Sequence, residues 1–171
     1  MVRNSKKKLV IFEINEFDYD FFLYGSKKYN YPIIKKFLDL KKKTTITKDR
    51  KEGLNLDPWV QWVSAHTNKS SRQHKIFRTG QCLDKDTKQV WDIISNKNTV
   101  TLWGIFNSVL RKKKNIDLFY PDPWSFTQKA YPNNLNNWVL LPRYYAKNYP
   151  DLKLYKTINY FLIFFKSIFF S

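Results

Sequence analysis

Three short runs rich in β-branched and aromatic residues punctuate the first hundred positions: KLVIFEI at 8–14, TTITK at 44–48 and TVTLW at 99–103. Helical patterns separate them. In YPIIKKFLDLKK (31–42), Ile33, Ile34, Phe37 and Leu38 fall on one face and Pro32 lies in the first turn. TKQVWDIISN (87–96) also reads as a helix, and the strand after it stops at Gly104. Strand, helix, strand, helix, strand at this spacing restricts the chain to few topologies. Successive strands lie parallel and the helices cover the sheet, so the expectation is an α/β domain with a mostly parallel sheet. Beyond residue 111 the regularity fades. FYPDPW and YPNNLNNW read as loops, and 152–170 as a final amphipathic helix. With no internal repeat and no Gly/Ser-rich linker, the sequence reads as one domain over 1–171.

Charge and composition narrow the function classes. A formal charge of +17 is what a partner of nucleic acid or of an acidic membrane surface would attract. The lysines, however, come in runs at 6–8, 41–43 and 111–114 that flank apolar segments, as solvated element ends do. The aromatic residues follow core periodicity and do not interleave with lysines on one face, which argues against a nucleic-acid binder. Cys82 is the single cysteine, so no internal disulfide can form. That suits a reducing, cytoplasmic compartment, with Cys82 as a small buried residue. The opening KKKLVIFEINEFDYD turns acidic too soon for a signal peptide, and no stretch reaches the roughly 20 apolar residues of a spanning helix.

The stretch LDPWVQWVSAHT (56–67) is the densest in potential chemistry. Asp57 suits an N-cap and Pro58 the first helical position. Trp59, Trp62, Val63 and His66 follow at i, i+3, i+4 and i+7, which is one helix face and the pattern of a core helix. On an apolar face, His66 reads as a core histidine. The helix begins in the loop after TTITK. Open α/β sheets bind ligands beyond the carboxyl ends of their strands, and first-turn amides there can hold an anion.

The strand KLVIFEINEFD, the segment DPWVQWVSAHTNKSSRQHKIFRTGQ, the run VWDIISNKNTVTLWGIFNS and the later LFYPDPWSFTQKAYPNNL together resemble the alkaline phosphatase-like superfamily, nearest to its type I phosphodiesterase/nucleotide pyrophosphatase branch. The resemblance spans roughly residues 8 to 165. It implies a doubly wound sheet, here partial, with helices on both faces. It also implies a metal-dependent hydrolase of phosphoric or sulfuric esters, carrying two divalent metals, usually zinc, that activate a Thr or Ser nucleophile.

The resemblance further implies a metal ligand at the end of the first strand, where this chain has Asn15 between Glu13 and Glu16. Asn is uncharged and a poorer ligand than Asp; Glu13 alternates with Asn15 and would share its side of a strand. The nucleophile's place falls at Asp57 and Pro58, where no Thr or Ser stands, while Ser64 and Thr67 lie two to three turns too deep. Three readings follow: Asp57 binds metal, Asp57 acts as the nucleophile, or that step is lost. His74, in HKI where relatives carry HGI, is implied to pack or hydrogen-bond.

The family's other metal ligands come from the second half of a much longer chain, and this sequence holds only His66 and His74. The resemblance therefore implies the N-terminal portion of a hydrolase, inactive alone or active with a complementing C-terminal chain. The tail YKTINYFLIFFKSIFFS is apolar around most of a helix, which suits burial against missing elements or docking on a membrane surface through 152–171.

Overall fold

The computed structural model describes residues 8–47, 57–111 and 114–169. The chain falls into two compact units, residues 1–46 and 47–171.

In the first unit, α1 (Tyr19–Tyr29) starts where Asp18 accepts a hydrogen bond from the Phe21 amide at 2.9 Å, and ends at Asn30 in the left-handed region. A short α2 (Pro32–Leu38) follows, with Pro32 in its first turn. Phe17, Phe22 and Phe37 close a three-ring cluster with centroids 5.1–5.6 Å apart. Two sequence expectations fail here. Residues 8–14 form no strand, and neither do the described residues 44–47 of the second run; Lys48 lies outside the described residues. A strand needs a neighbour for its backbone groups and a layer to cover its side chains. Leu9 and Phe12 remain about four-fifths exposed instead.

The second unit holds α3 (Pro58–Thr67), α4 (Ser71–His74), α5 (Val90–Ile94), β1 (Val100–Trp103), β2 (Ile116–Tyr120), α6 (Asn136–Asn148) and α7 (Leu154–Phe169). It is a mixed helix-and-strand fold with one parallel pair. Leu102 lies opposite Phe119 and Trp103 opposite Tyr120, and the register slips between Val100 and Thr101. Antiparallel bonds between Phe119 and Tyr131 extend the far edge of β2.

β2 buries both of its faces. Phe119 packs with Trp91 of α5, Leu102 and Ile116, while Tyr120 packs with Ala130, Leu135 and Val139 of α6. A third cluster joins Val63 of α3 to Ile76 and Leu83. In α3 the fully buried positions are Val60 and Val63, with His66 beside them; Trp59 and Trp62, expected in the core, are only half-buried. β2 and α6 replace the loops expected after residue 111. Pro142 sits inside α6 and cannot donate to the Trp138 carbonyl four residues earlier. The Tyr120 hydroxyl donates to that carbonyl instead, at 3.0 Å. Burial also raises the Tyr120 pKa, which keeps the hydroxyl protonated and able to donate.

Candidate functional site

The loops that leave the carboxyl ends of β1 and β2 come together in a buried polar knot. After β1 the chain turns through Gly104 (φ 66°), whose amide donates to the Tyr120 carbonyl at 2.8 Å, and reaches Asn107, also left-handed at φ 52°. After β2 it runs through Pro121 to Asp122. Asp122 has no solvent exposure and accepts four hydrogen bonds: from the amides of Asn107 (3.1 Å), Trp124 (3.0 Å) and Ser125 (3.1 Å), and from the Ser125 hydroxyl (2.6 Å). Four donors fill the lone pairs of a carboxylate. Asp122 is thereby committed to holding the two loops together.

Asn107 extends the knot to the segment after α4. Its side chain accepts from the Gly80 amide at 3.2 Å and donates to the Arg78 carbonyl at 2.9 Å. Gly80 has φ 78°, and a Cβ there would lie 2.3 Å from the Trp124 carbonyl oxygen, so no other residue fits. Arg143 of α6 donates to the carbonyls of Ser125 and Gln128. Burial lowers the Arg143 pKa from its ordinary value, with Asp122 opposing that shift by its charge. Beside the knot lies an open depression of about 340 Å³ lined by Trp124, Tyr145, Ala146 and Tyr149.

A second network fixes the start of α5. Asp92 accepts from the Gln89 amide and from Arg111, both at 2.8 Å, and Arg111 also donates to the Asp84 carbonyl. Asp84 accepts from the amides of Asp86 and Thr87. Bonds from Thr87, its side chain first, hold the Asp84 carboxyl below its usual value.

The residues singled out by the sequence are placed as follows. Asn15 is exposed in a turn, and Glu13 is half-buried in a segment without regular secondary structure. Neither ends a strand, because that strand is not formed. Asp57 precedes α3 as its N-cap residue through its carbonyl, which accepts from the amides of Val60 (2.9 Å) and Gln61 (3.0 Å), but its carboxylate makes no capping bond. The anion site expected at this helix start is therefore poor. Pro58 has no amide proton, the Val60 amide is taken, and the Asp57 carboxylate repels anions. The same carboxylate suits a cation. Asn15 and Glu13 belong to the first unit and Asp57 to the second.

Both histidines are buried. His74 is 2% exposed; its Nδ1 accepts from the Ile76 amide at 3.0 Å, so the proton sits on Nε2, 3.0 Å from the Ser64 hydroxyl. An Nε2 that donates cannot take a proton from Ser64, which removes Ser64 as a nucleophile activated by this imidazole. His66 is buried between the rings of Trp62 (6.0 Å) and Trp91 (4.8 Å). Cys82, expected to be buried, is exposed, with Gln128 donating to its sulfur at 3.2 Å.

Zinc asks for about four nitrogen, sulfur or oxygen ligands, with at least three from the protein. Among the described residues no group of three or more His, Cys, Asp and Glu comes together to hold a metal ion. Glu13 and Asn15 offer two oxygen donors within the first unit and Asp57 one within the second, so neither unit by itself supplies three of these ligands. Among the described residues, no helix is long and apolar enough to cross a membrane.

No protein-family model, no curated protein and no solved structure matches the chain.

Proposed function

We propose that this chain provides the α/β scaffold of a phosphoric- or sulfuric-ester hydrolase and does not complete a catalytic centre by itself. In the complete enzyme, β1 and β2 belong to a doubly wound sheet, and a complementing chain contributes the missing metal ligands. The observation that carries this reading is the parallel β1–β2 pair with a helix against each face of β2 and its carboxyl-end loops locked at Asp122, where open α/β sheets place their ligands. The ordered motifs from DPWVQWVSAHT to LFYPDPWSF support it as well. Asp57, whose carboxylate is not spent on capping, is the residue of this chain best suited to bind a cation.

The test is hydrolysis of bis(4-nitrophenyl) phosphate by the purified chain over a range of zinc concentrations. The expected result is no turnover beyond the zinc blank. Zinc-dependent turnover by the chain alone, abolished in Asp57→Ala, would reveal a complete centre and overturn the second half of the proposal.

A further inference from the structure

α7 carries two apolar faces, and among the described residues only one of them has a partner. Through Tyr160 and Phe164 it packs on α6, with rings meeting Tyr144 at 5.0 Å and Trp138 at 5.8 Å. The Lys153 amide, at its start, is anchored to the Tyr144 hydroxyl at 2.8 Å. Ser167 continues this face and is buried. The other face presents Leu154, Ile158, Phe161, Phe165 and Ile168, spaced by four, three, four and three residues, each between 40% and 75% exposed. That spacing keeps them in one stripe along the helix. Leu162 and Phe169 widen it.

Charge decides what covers this stripe. Between Tyr144 and Phe169 the only acid is Asp151, against the cations Lys147, Lys153, Lys156 and Lys166. All four lysines are exposed. A second copy of the chain would bring the same lysine-rich surface against the stripe. An anionic surface would be attracted by it. The helix is 16 residues long, about 24 Å, which is short of the roughly 30 Å hydrocarbon core. A described helix of this length fits the plane of the interface.

We infer that α7 docks on an anionic lipid membrane surface, its Leu154–Ile158–Phe161–Phe165–Ile168 stripe entering the headgroup boundary while its lysines meet the lipid charge. The inference stands apart from the hydrolase reading, since no residue of the Asp122 knot takes part.

The experiment is co-sedimentation of the full chain with phosphatidylcholine vesicles, and with vesicles containing phosphatidylserine as well, at low and high salt. Binding to the anionic vesicles is expected, weakening with salt. The double variant Phe161→Ser/Phe165→Ser should bind about tenfold more weakly or worse, with its helical circular dichroism retained because both rings lie on the solvent side. Lys153→Glu/Lys156→Glu/Lys166→Glu, which leaves the stripe intact, should lose a similar factor. Equal binding to neutral vesicles, or undiminished binding by both variants, would overturn the inference. So would a chain that ignores both vesicle types, whether it sediments as a monomer or as a dimer that covers the stripe with a second copy.

Discussion

The Tyr120 hydroxyl, at the end of β2, donates to the Trp138 carbonyl in the first turns of α6, 3.0 Å away. It stands in for the amide proton that Pro142 lacks, and so ties strand to helix where the helix's own ladder is broken. Tyr120→Phe should therefore cost about 1–2 kcal/mol, because the carbonyl loses its replacement donor. Pro142→Ala restores the helical amide. In that background Tyr120→Phe should cost measurably less. Urea unfolding of the two single variants and the double variant gives the coupling; strictly additive costs would show that the two groups do not compensate one another.

Asp122 should be the most sensitive single position of the polar knot. Asp122→Ala strands four buried donors, a loss of about 3–5 kcal/mol. Asp122→Asn keeps one acceptor and should fall between the variant and the parent. Thermal unfolding checks both, and a change in Tm of Asp122→Ala no larger than that of an exposed Asp117→Ala would mean that the carboxylate does not hold the loops.

The hydrogen bonds at His74 fix its tautomer. Nitrogen-15 shifts of the imidazole should show Nε2 protonated, and Ser64→Ala should cost about 1 kcal/mol. Ser64 should not react with a fluorophosphonate probe. Labelling of Ser64, or an Nδ1-protonated ring, would reinstate it as a nucleophile.

At Asp84 the sign of the pH dependence follows from its lowered pKa. A carboxyl held lower in the folded than in the unfolded chain contributes stability that is present above the unfolded value and is lost as pH falls through the folded value. Thr87→Val removes the side-chain bond, the largest cause, and should move the Asp84 titration toward its ordinary range. Carbon-13 titration of the carboxyl reads this directly; an unchanged midpoint would assign the shift to another cause.

Local punctuation made part of this fold legible. Asp57-Pro58 marked the start of α3, the apolar spacing of VWDII marked α5, TVTLW marked β1, and the tail marked α7. What misled was composition read without tertiary partners. Phe119 and Tyr120 looked like the start of the loop FYPDPW, yet they end β2, paired on β1 and packed on both faces. YPNNLNNW looked like a loop because of its Asn and Pro residues, yet Asn136 to Trp138 open α6. That helix forms because Val139 buries against Tyr120 of β2, Tyr144 packs on α7, and Tyr120 repairs the gap at Pro142. KLVIFEI has every strand preference and forms none, since preference without a neighbouring strand leaves the backbone unpaired. The site was legible as residue types and not as geometry. Asp57 was found from its position before a helix, whereas Asp122 and Asn107, the centre of the knot, stand in a Pro-rich loop and after a strand end with no periodic signal.

Zinc titration against a chromogenic chelator, run side by side on the parent chain, Asp57→Ala and Asp117→Ala, tests the hydrolase-scaffold reading most directly. A scaffold that contributes one incomplete metal site should show a single weak zinc equivalent, weakened at least about tenfold in Asp57→Ala and untouched in Asp117→Ala. Superimposable titrations for all three chains would contradict it.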